Sequence, residues 1–279
     1  MNNLKLSYIL FILCFNCFTA CGQEHQERVT ISNKDTIIKK YLKKGAWHHH
    51  FLSKEWEEWI DKGIEEDSTV AYLWQQKALP YWKQKKYSLA IKYYNKAVLL
   101  DRKEWLSRLG YLKCIFAKNY EGALTDFATY KNEFGFTFEQ DHPLDFYEGI
   151  CYLQLNRFDD ALAVLKTNTA SLEKKFGVQH VHYLDRYYLA IAYFENNEYH
   201  MAISEFDKVL LVYPNFSDAQ FYKSLCLHYL GDKETARILM ATGKINFEKG
   251  STFNEDANRY ETNPYQLTWQ WQNAMSLIE

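Results

Sequence analysis

The chain has 279 residues, of which 47% are hydrophobic and 24% are charged, the composition of an ordinary folded protein long enough to bury a core. Its 33 Lys and Arg residues stand against 35 Asp and Glu residues, so no net positive field exists to hold DNA or RNA, and no nucleic-acid partner is expected. With only 11 Gly and 4 Pro residues the sequence disfavours all-β folds, which need frequent turns, and predicts helices joined by short turns.

The first 20 residues have the features of an export signal. A single charge, Lys5, precedes an apolar run from Leu6 to Phe18, and the sequence becomes polar after Cys21. The run is 13 residues long, whereas a helix needs roughly 20 residues to cross a bilayer. A cleaved signal is therefore favoured over a retained membrane anchor, which is the weaker alternative.

The sequence FTAC, which ends at Cys21, resembles the bacterial lipoprotein box, in which small residues precede a cysteine that is acylated before cleavage. This resemblance implies that residues 1–20 are a lipoprotein signal peptide and that Cys21 becomes the lipid-bearing first residue. Residues 21–35 are polar and aperiodic and are expected to form a flexible tether. The expected location is outside the cytoplasm, lipid-anchored to a bacterial membrane, most simply the outer membrane. The alternative is ordinary secretory cleavage near Ala20, with Cys21 left as a free thiol.

Residues 36–70 are predicted to form N-terminal capping helices. Glu55 to Glu66 places Trp56 and Ile60 at helical spacing and ends in polar residues, so it is interpreted as the second helix of an incomplete repeat. Caps are expected because stacked repeats leave an apolar face uncovered at each end.

A local pattern occurs five times in the remaining chain: a large residue, an Ala three positions later and a second large residue four positions after that. The alanines are Ala90, Ala123, Ala161, Ala202 and Ala236, with spacings of 33, 38, 41 and 34 residues. A small residue lies about twelve positions upstream of each, as Ala190 does before Ala202. In the second copy Gly110 indicates a register one residue earlier than Tyr111. A period of this length predicts stacked helix pairs.

These positions are those of the tetratricopeptide repeat, W-x₂-L-G-x₂-Y…A-x₃-F…P over about 34 residues, and the chain resembles that family from about residue 55 to 247. The resemblance implies an all-α fold, a tetratricopeptide-repeat helical solenoid of about five helix pairs over residues 71–247, with N- and C-terminal capping helices. The longer spacings imply inserts near 131–142 and 168–181 that lengthen turns or helices.

Residues 248–279 are predicted to form a loop and a C-terminal capping helix. Asn263 and Pro264 have the residue types of an N-cap and a first helical position, and Leu267, Trp271 and Ala274 would share one face of the helix that follows. This tail is similar to the tails of tetratricopeptide lipoproteins from Bacteroidota.

No catalytic residues, cofactor or metal site are predicted, because the sequence contains no Gly-rich phosphate loop, HExxH or GxSxG motif, and no CxxC beyond the leader. The consecutive residues His48, His49 and His50 point in different directions on a helix and are expected to be solvated. His180 and His182 lie in an insert with no Cys or paired carboxylate nearby, and they too are expected to be solvated. Three cysteines in apolar helical stretches are expected to fill the core and not to form disulfides: Cys114, Cys151 and Cys226.

The family resemblance also implies a site. In tetratricopeptide arrays the first helix of each repeat lines a concave groove, and the groove positions of this chain combine aromatic rings with charges of both signs. Such a surface suits an extended peptide or a partner helix. The candidate groove residues are Tyr72, Gln75, Trp82, Lys83, Trp105, Arg108, Phe146, Gln154, Tyr187, Glu195, Phe221, His228 and Tyr229.

The sequence therefore predicts a non-catalytic scaffold lipoprotein of the bacterial cell envelope, which binds a protein or peptide partner in its groove and reaches the membrane through lipid on Cys21. One alternative is a component of outer-membrane assembly machinery, because the chain resembles the five-repeat lipoprotein of the barrel-assembly complex. The other is a glycan- or small-ligand-binding envelope protein, in which rings such as Trp82 would stack on sugars.

Overall fold

The computed structural model describes residues 33–268. The predicted signal peptide, Cys21 and most of the tether lie outside the described residues, as does the chain after 268. The described chain is helical apart from turns, a short antiparallel hairpin and a largely irregular stretch after Glu248, and it divides into two compact units, one ending at Asp101 and one beginning at Arg102. No helix within residues 33–268 has the length and apolarity that crossing a membrane requires.

The first unit contains four helices, of which the first three share one apolar core and the fourth packs against the third. Helix α1 covers residues 33–38 and continues in π-helical geometry over Lys39–Lys43, and the others are α2 (Lys54–Glu66), α3 (Ala71–Lys83) and α4 (Tyr87–Leu100). Helix α2 begins where the Ser53 hydroxyl accepts the Trp56 amide at 3.2 Å. A Cβ added to Gly63 would lie 3.0 Å from Leu73, so this glycine allows α2 to pack closely against α3.

The second unit contains four helix pairs, in which each helix packs against the next one along the chain. The strands Phe138–Glu139 (β1) and His142–Pro143 (β2) form the hairpin between the first and second of these pairs. The helices are α5 (Arg102–Ile115), α6 (Tyr120–Phe134), α7 (Leu144–Gln154), α8 (Phe158–Phe176), α9 (Tyr183–Glu195), α10 (Tyr199–Val212), α11 (Ser217–Tyr229) and α12 (Lys233–Glu248).

The helices α3 to α12 are the five tetratricopeptide helix pairs, and the five repeat alanines are fully buried on the second helix of each pair. Small side chains there let the two helices of a pair approach closely. The all-α solenoid predicted from the sequence is confirmed. The inserts also appear: one becomes the β1–β2 hairpin, and the other lengthens α8 to 19 residues and adds a 3₁₀ turn at Val178–His180.

Each turn inside a helix pair contains one residue in the left-handed region, with φ between 53° and 89°. These residues are Lys85, Lys118, Asn156, Asn197 and Gly231. The turn between α5 and α6 is one residue longer than the others. This extra residue shifts the register of the second repeat, and Gly110 takes the small-residue place, where an added Cβ would lie 2.5 Å from the Phe127 ring. The earlier register is therefore confirmed.

The cysteines Cys114, Cys151 and Cys226 are buried and free, as predicted. The predicted start of the C-terminal helix at Asn263 and Pro264 is wrong. Pro264 and Tyr265 form a turn, and the chain is non-helical from Gln266 to Thr268. Leu267 is nonetheless buried, because this segment runs along other helices of the second unit. The remainder of the predicted capping helix lies beyond the described residues.

Candidate functional site

The first helices of the repeats in the second unit, α5, α7, α9 and α11, are neighbours in succession and form a continuous surface, here called the first-helix face. The chain's own segment 251–268, here called the C-terminal segment, lies across it. The Tyr188 hydroxyl donates to the Pro264 carbonyl and the Tyr187 hydroxyl to the Tyr265 carbonyl, both at 2.8 Å. The face is therefore covered by polypeptide held through its main chain.

Asp218 on α11 fixes both ends of this segment. Its Oδ1 accepts the Leu267 amide at 2.7 Å, and its Oδ2 accepts the Thr252 hydroxyl at 2.8 Å. The residue is fully buried, and this burial raises the pKa of its carboxyl group to about 6, although the hydrogen bonds act in the opposite direction.

An aromatic side chain anchors the beginning of the segment. Phe253 is 5% exposed, and its ring centroid lies 5.4 Å from those of Tyr187 and Phe216 and 6.2 Å from that of Tyr188. Edge-to-face contacts of this kind add specificity to the apolar area that the rings bury. Phe253 therefore fills an aromatic pocket on the first-helix face.

The segment also reaches the turn of the second repeat. Lys118 Nζ donates to the Thr262 carbonyl at 2.6 Å, and the Tyr260 ring lies 6.5 Å from that of Phe116. The Tyr265 hydroxyl donates to Glu195 Oε1 at 2.8 Å. Three of the four first helices, or the turns that follow them, thus contact this one stretch of chain through hydrogen bonds.

Five aromatic residues of the predicted groove are buried and do not form an open surface, which corrects the prediction. Each is at most 6% exposed, because its ring packs within the helical array or, for Tyr187, partly beneath the C-terminal segment. Trp82, for example, lies 5.6 Å from Tyr87 and 6.4 Å from Tyr94 between ring centroids. The five residues are Trp82, Trp105, Phe146, Tyr187 and Phe221.

The candidates of the first unit, Tyr72, Gln75 and Lys83, are half-buried. Trp47 covers part of this surface: its ring lies 6.4 Å from that of Tyr72, and its Nε1 donates to Gln76 Oε1 at 3.3 Å. Gln75 Oε1 in turn accepts from Gln76 Nε2 at 2.7 Å. The chain that precedes the first repeat therefore packs on its first helix.

Four further candidates, Arg108, Gln154, His228 and Tyr229, keep some exposure. Arg108 forms an ion pair with Glu104 at 3.3 Å, and Gln154 accepts the Tyr120 hydroxyl at 3.3 Å. His228 is half-buried, and Tyr229 is 58% exposed and stacks on Tyr199 at 5.1 Å. Of the whole predicted set, Arg108 and Tyr229 are thus the exposed members, and their role in binding stays a prediction.

A polar group that sequence reasoning missed lies where the two inserts meet. His142 of β2 is 3% exposed, and its Nδ1 lies 2.8 Å from Oδ2 of Asp185, which is 1% exposed. The other carboxylate oxygen of Asp185 accepts from Asn168 Nδ2 at 2.9 Å. The ring centroid of His182 lies 4.8 Å from that of His142. His182 therefore does have an imidazole and a carboxylate nearby, contrary to the interpretation from sequence.

Burial sets the electrostatics of this group. It lowers the pKa of His182 to about 4, with a further contribution from His142, so His182 is neutral near pH 7. Next to His142 is a small cavity of about 70 Å³, lined also by Asp141 and by Glu255 of the C-terminal segment. Burial raises the pKa of the Glu255 carboxyl group. The only sequence signal was the length of the two inserts, since His142 and Asp185 are 43 residues apart.

The fold defines a class: an α-helical repeat protein built of stacked antiparallel helix pairs. Within that class, two models of the tetratricopeptide repeat match the chain, at residues 71–104 and 187–249. The chain therefore contains tetratricopeptide repeats, and this fold supports a scaffold for protein interaction. Comparison of the sequence with curated proteins gave no significant match.

Several solved structures share the fold. A tetratricopeptide repeat protein from Parabacteroides merdae is 16% identical with a TM-score of 0.56, over 81% of this chain and 82% of its own. PilW, described as a type IV pilus biogenesis factor, is 17% identical with a TM-score of 0.56, over 74% and 89%. YrrB, described as having an unusual peptide-binding site, is 18% identical with a TM-score of 0.50, over 67% and 91%. At these identities the likeness concerns the fold alone.

Proposed function

We propose that this chain is a non-catalytic scaffold lipoprotein of the bacterial cell envelope, which binds an extended polypeptide of a partner protein on its first-helix face. The observation that carries this proposal is the C-terminal segment, which already occupies that face as a bound peptide would. The partner takes the place of this segment.

The contacts of the segment support binding of polypeptide in general. Tyr187, Tyr188 and Lys118 donate to main-chain carbonyls, groups that every polypeptide presents whatever its sequence. The pocket of Phe253 supplies selectivity, because it accepts one large apolar side chain. A partner segment with an aromatic anchor and an extended backbone therefore meets the same set of donors.

Site-specific crosslinking in intact cells tests the surface. A photoreactive amino acid at Arg108 or Tyr229, the exposed positions of first helices, is expected to capture a partner protein. The matched control is Ile238, which is 56% exposed on the second helix α12. A chain ending at Gly250, which lacks the C-terminal segment, is expected to give a larger yield from Arg108. Equal yields of the same product from Ile238 would contradict the proposal.

The proposed anchor depends on Cys21, and its support is the apolar leader followed by Thr19, Ala20 and Cys21. Two acyl signals hold a protein on a membrane without a spanning helix, since each buried CH₂ contributes about 0.8 kcal/mol. Replacing Cys21→Ala is expected to release the protein into the soluble fraction, measured by fractionation and by labelling with a fatty-acid analogue. The matched control Cys17→Ala, in the same leader, is expected to stay membrane-bound and labelled. A Cys21→Ala protein that remains labelled would rule out this anchor.

The glycan-binding alternative gains no support from the structure. It needed an open aromatic platform such as Trp82, whose ring is 4% exposed. A sugar cannot stack on a ring that is enclosed between α3 and α4, so Trp82→Ala would report on stability and not on ligand binding.

A further inference from the structure

The two inserts that depart from the repeat length bring potential metal ligands together. His142 comes from the hairpin between α6 and α7, while His182 and Asp185 come from the start of α9, after the lengthened helix α8. Each residue offers one ligand atom, and these three atoms lie within 4.8 Å of one another. The repeat itself needs neither insert, so the convergence of these side chains is a feature of this chain and not of the repeat.

We propose that His142, His182 and Asp185 bind a first-row transition-metal ion such as Zn²⁺. Two imidazoles and one carboxylate are a common protein ligand set for zinc, and open positions are completed by water or a further carboxylate. This proposal does not rest on the partner-binding function proposed above.

The position of the Asp185 carboxylate favours the site. It lies 1% exposed, and its two oxygens contact His142 Nδ1 at 2.8 Å and Asn168 Nδ2 at 2.9 Å. The Asn168 contact holds the carboxylate in position before any ion arrives, and an ion between Asp185 and His142 Nδ1 replaces the hydrogen bond that joins them. A ligand set held in advance by such partners loses little entropy on binding.

The second ring nitrogen of His142 has room for the partner that a metal-bound imidazole needs. His142 Nε2 is buried and has no hydrogen-bond partner among the described residues. An ion on Nδ1 leaves the ring proton on Nε2, and metal-ligating imidazoles donate this proton to a carboxylate, a carbonyl or water. The adjoining cavity, which Asp141 and Glu255 also line, has room for such a water.

The ligand atoms have to move closer to one another. Zinc bonds of about 2.0–2.2 Å place tetrahedral ligand atoms about 3.4 Å apart, which is closer than the 4.8 Å limit of the present cluster. His182 is the least buried of the three ligands: it is half-buried at the N-cap of α9, where its Nδ1 accepts the Leu184 amide over a long contact of 3.4 Å. Rotation of this side chain brings its imidazole towards the other two ligands.

The test uses the purified full chain without a polyhistidine tag, stripped with a chelator and titrated with Zn²⁺ by calorimetry and with Co²⁺ by visible absorption. We expect binding of one equivalent, a rise in Tm with Zn²⁺ and none with Mg²⁺. The variant His182→Asn keeps a helix N-cap, so it is expected to fold and to bind at least about tenfold more weakly. The matched control His180→Asn alters an exposed neighbour and is expected to bind as the parent chain does.

The exposed run His48 to His50 is a competing source of signal. A variant with all three replaced by Asn is expected to keep the one-equivalent binding. The proposal is overturned if the parent chain binds no Zn²⁺, if His182→Asn binds with unchanged affinity, or if the binding disappears with the His48–His50 run. Loss of binding in His180→Asn would also overturn it.

Discussion

Glycine and alanine at the helix crossings decide how closely each repeat packs. A Cβ on Gly149 would lie 2.3 Å from Leu165 Cγ, and one on Gly110 would lie 2.5 Å from the Phe127 ring. Both distances are far below van der Waals contact, so these positions accept no side chain while the helices stay in place. The identity of these residues is thus set by the space that the facing side chains leave and not by chemistry.

Gly149→Ala is expected to destabilise the protein by about 1–3 kcal/mol, because the added methyl group forces α7 and α8 apart. Chemical denaturation followed by circular dichroism measures this change. Adding Leu165→Ala removes the clashing side chain, so the double variant is expected to lose less stability than the sum of the two single variants. Simple additivity would show that α7 and α8 are not in close contact at this point.

The elements most open to sequence reasoning are the repeat helices, since the Ala90, Ala161 and Ala202 patterns are local and each reports one helix pair. Contacts between segments that are far apart in the sequence were harder to predict. Nothing near Tyr187 in the sequence indicates that residues 251–268 cover it, and nothing near His182 indicates His142. Contacts between distant segments depend on how the inserts and the chain end fold back, and a local pattern does not encode them.

One of the groups that hold the C-terminal segment is the buried acid Asp218, so its docking is expected to depend on pH. The folded-state pKa of Asp218, about 6, lies above the unfolded value near 3.9. Between pH 4 and pH 6 the folded protein therefore keeps a proton on Asp218 that the unfolded chain has lost. The contribution of this group to the free energy of unfolding is greatest below about pH 4 and is lost as pH rises through 6.

The variant Asp218→Asn keeps an acceptor for the Leu267 amide but has no such titration. The parent chain is therefore expected to lose about 2–3 kcal/mol of unfolding free energy relative to Asp218→Asn between pH 4 and pH 7. Urea denaturation across this range measures the difference. Parallel stability curves for the two proteins would contradict the assignment of a raised pKa to Asp218.

At the scale of the whole molecule, the second unit has a core of its own. Buried rings such as Phe127, Tyr188 and Phe206 all belong to it. Residues 102–279 are therefore expected to fold when expressed alone, with a helical circular dichroism spectrum and a cooperative thermal transition. An unfolded fragment would show that this unit depends on the first one.

A second fragment, 102–250, serves as the comparison. It lacks the C-terminal segment, so it leaves the aromatic pocket around Tyr187 and Phe216 uncovered. This shorter fragment is expected to melt at a lower temperature and to bind the dye ANS more strongly. Identical melting of the two fragments would indicate that the segment adds nothing to stability.

A docking surface that a segment of the same chain occupies is autoinhibited, because a partner must compete with that segment. A competing partner binds only those molecules in which the C-terminal segment is undocked. Its measured association constant therefore equals its intrinsic association constant multiplied by the fraction of undocked molecules. A substitution that weakens docking of the C-terminal segment, such as Phe253→Ala, would then tighten partner binding although no partner atom touches residue 253. Under this scheme, selection can tune the strength of an interaction by changing residues outside the interface.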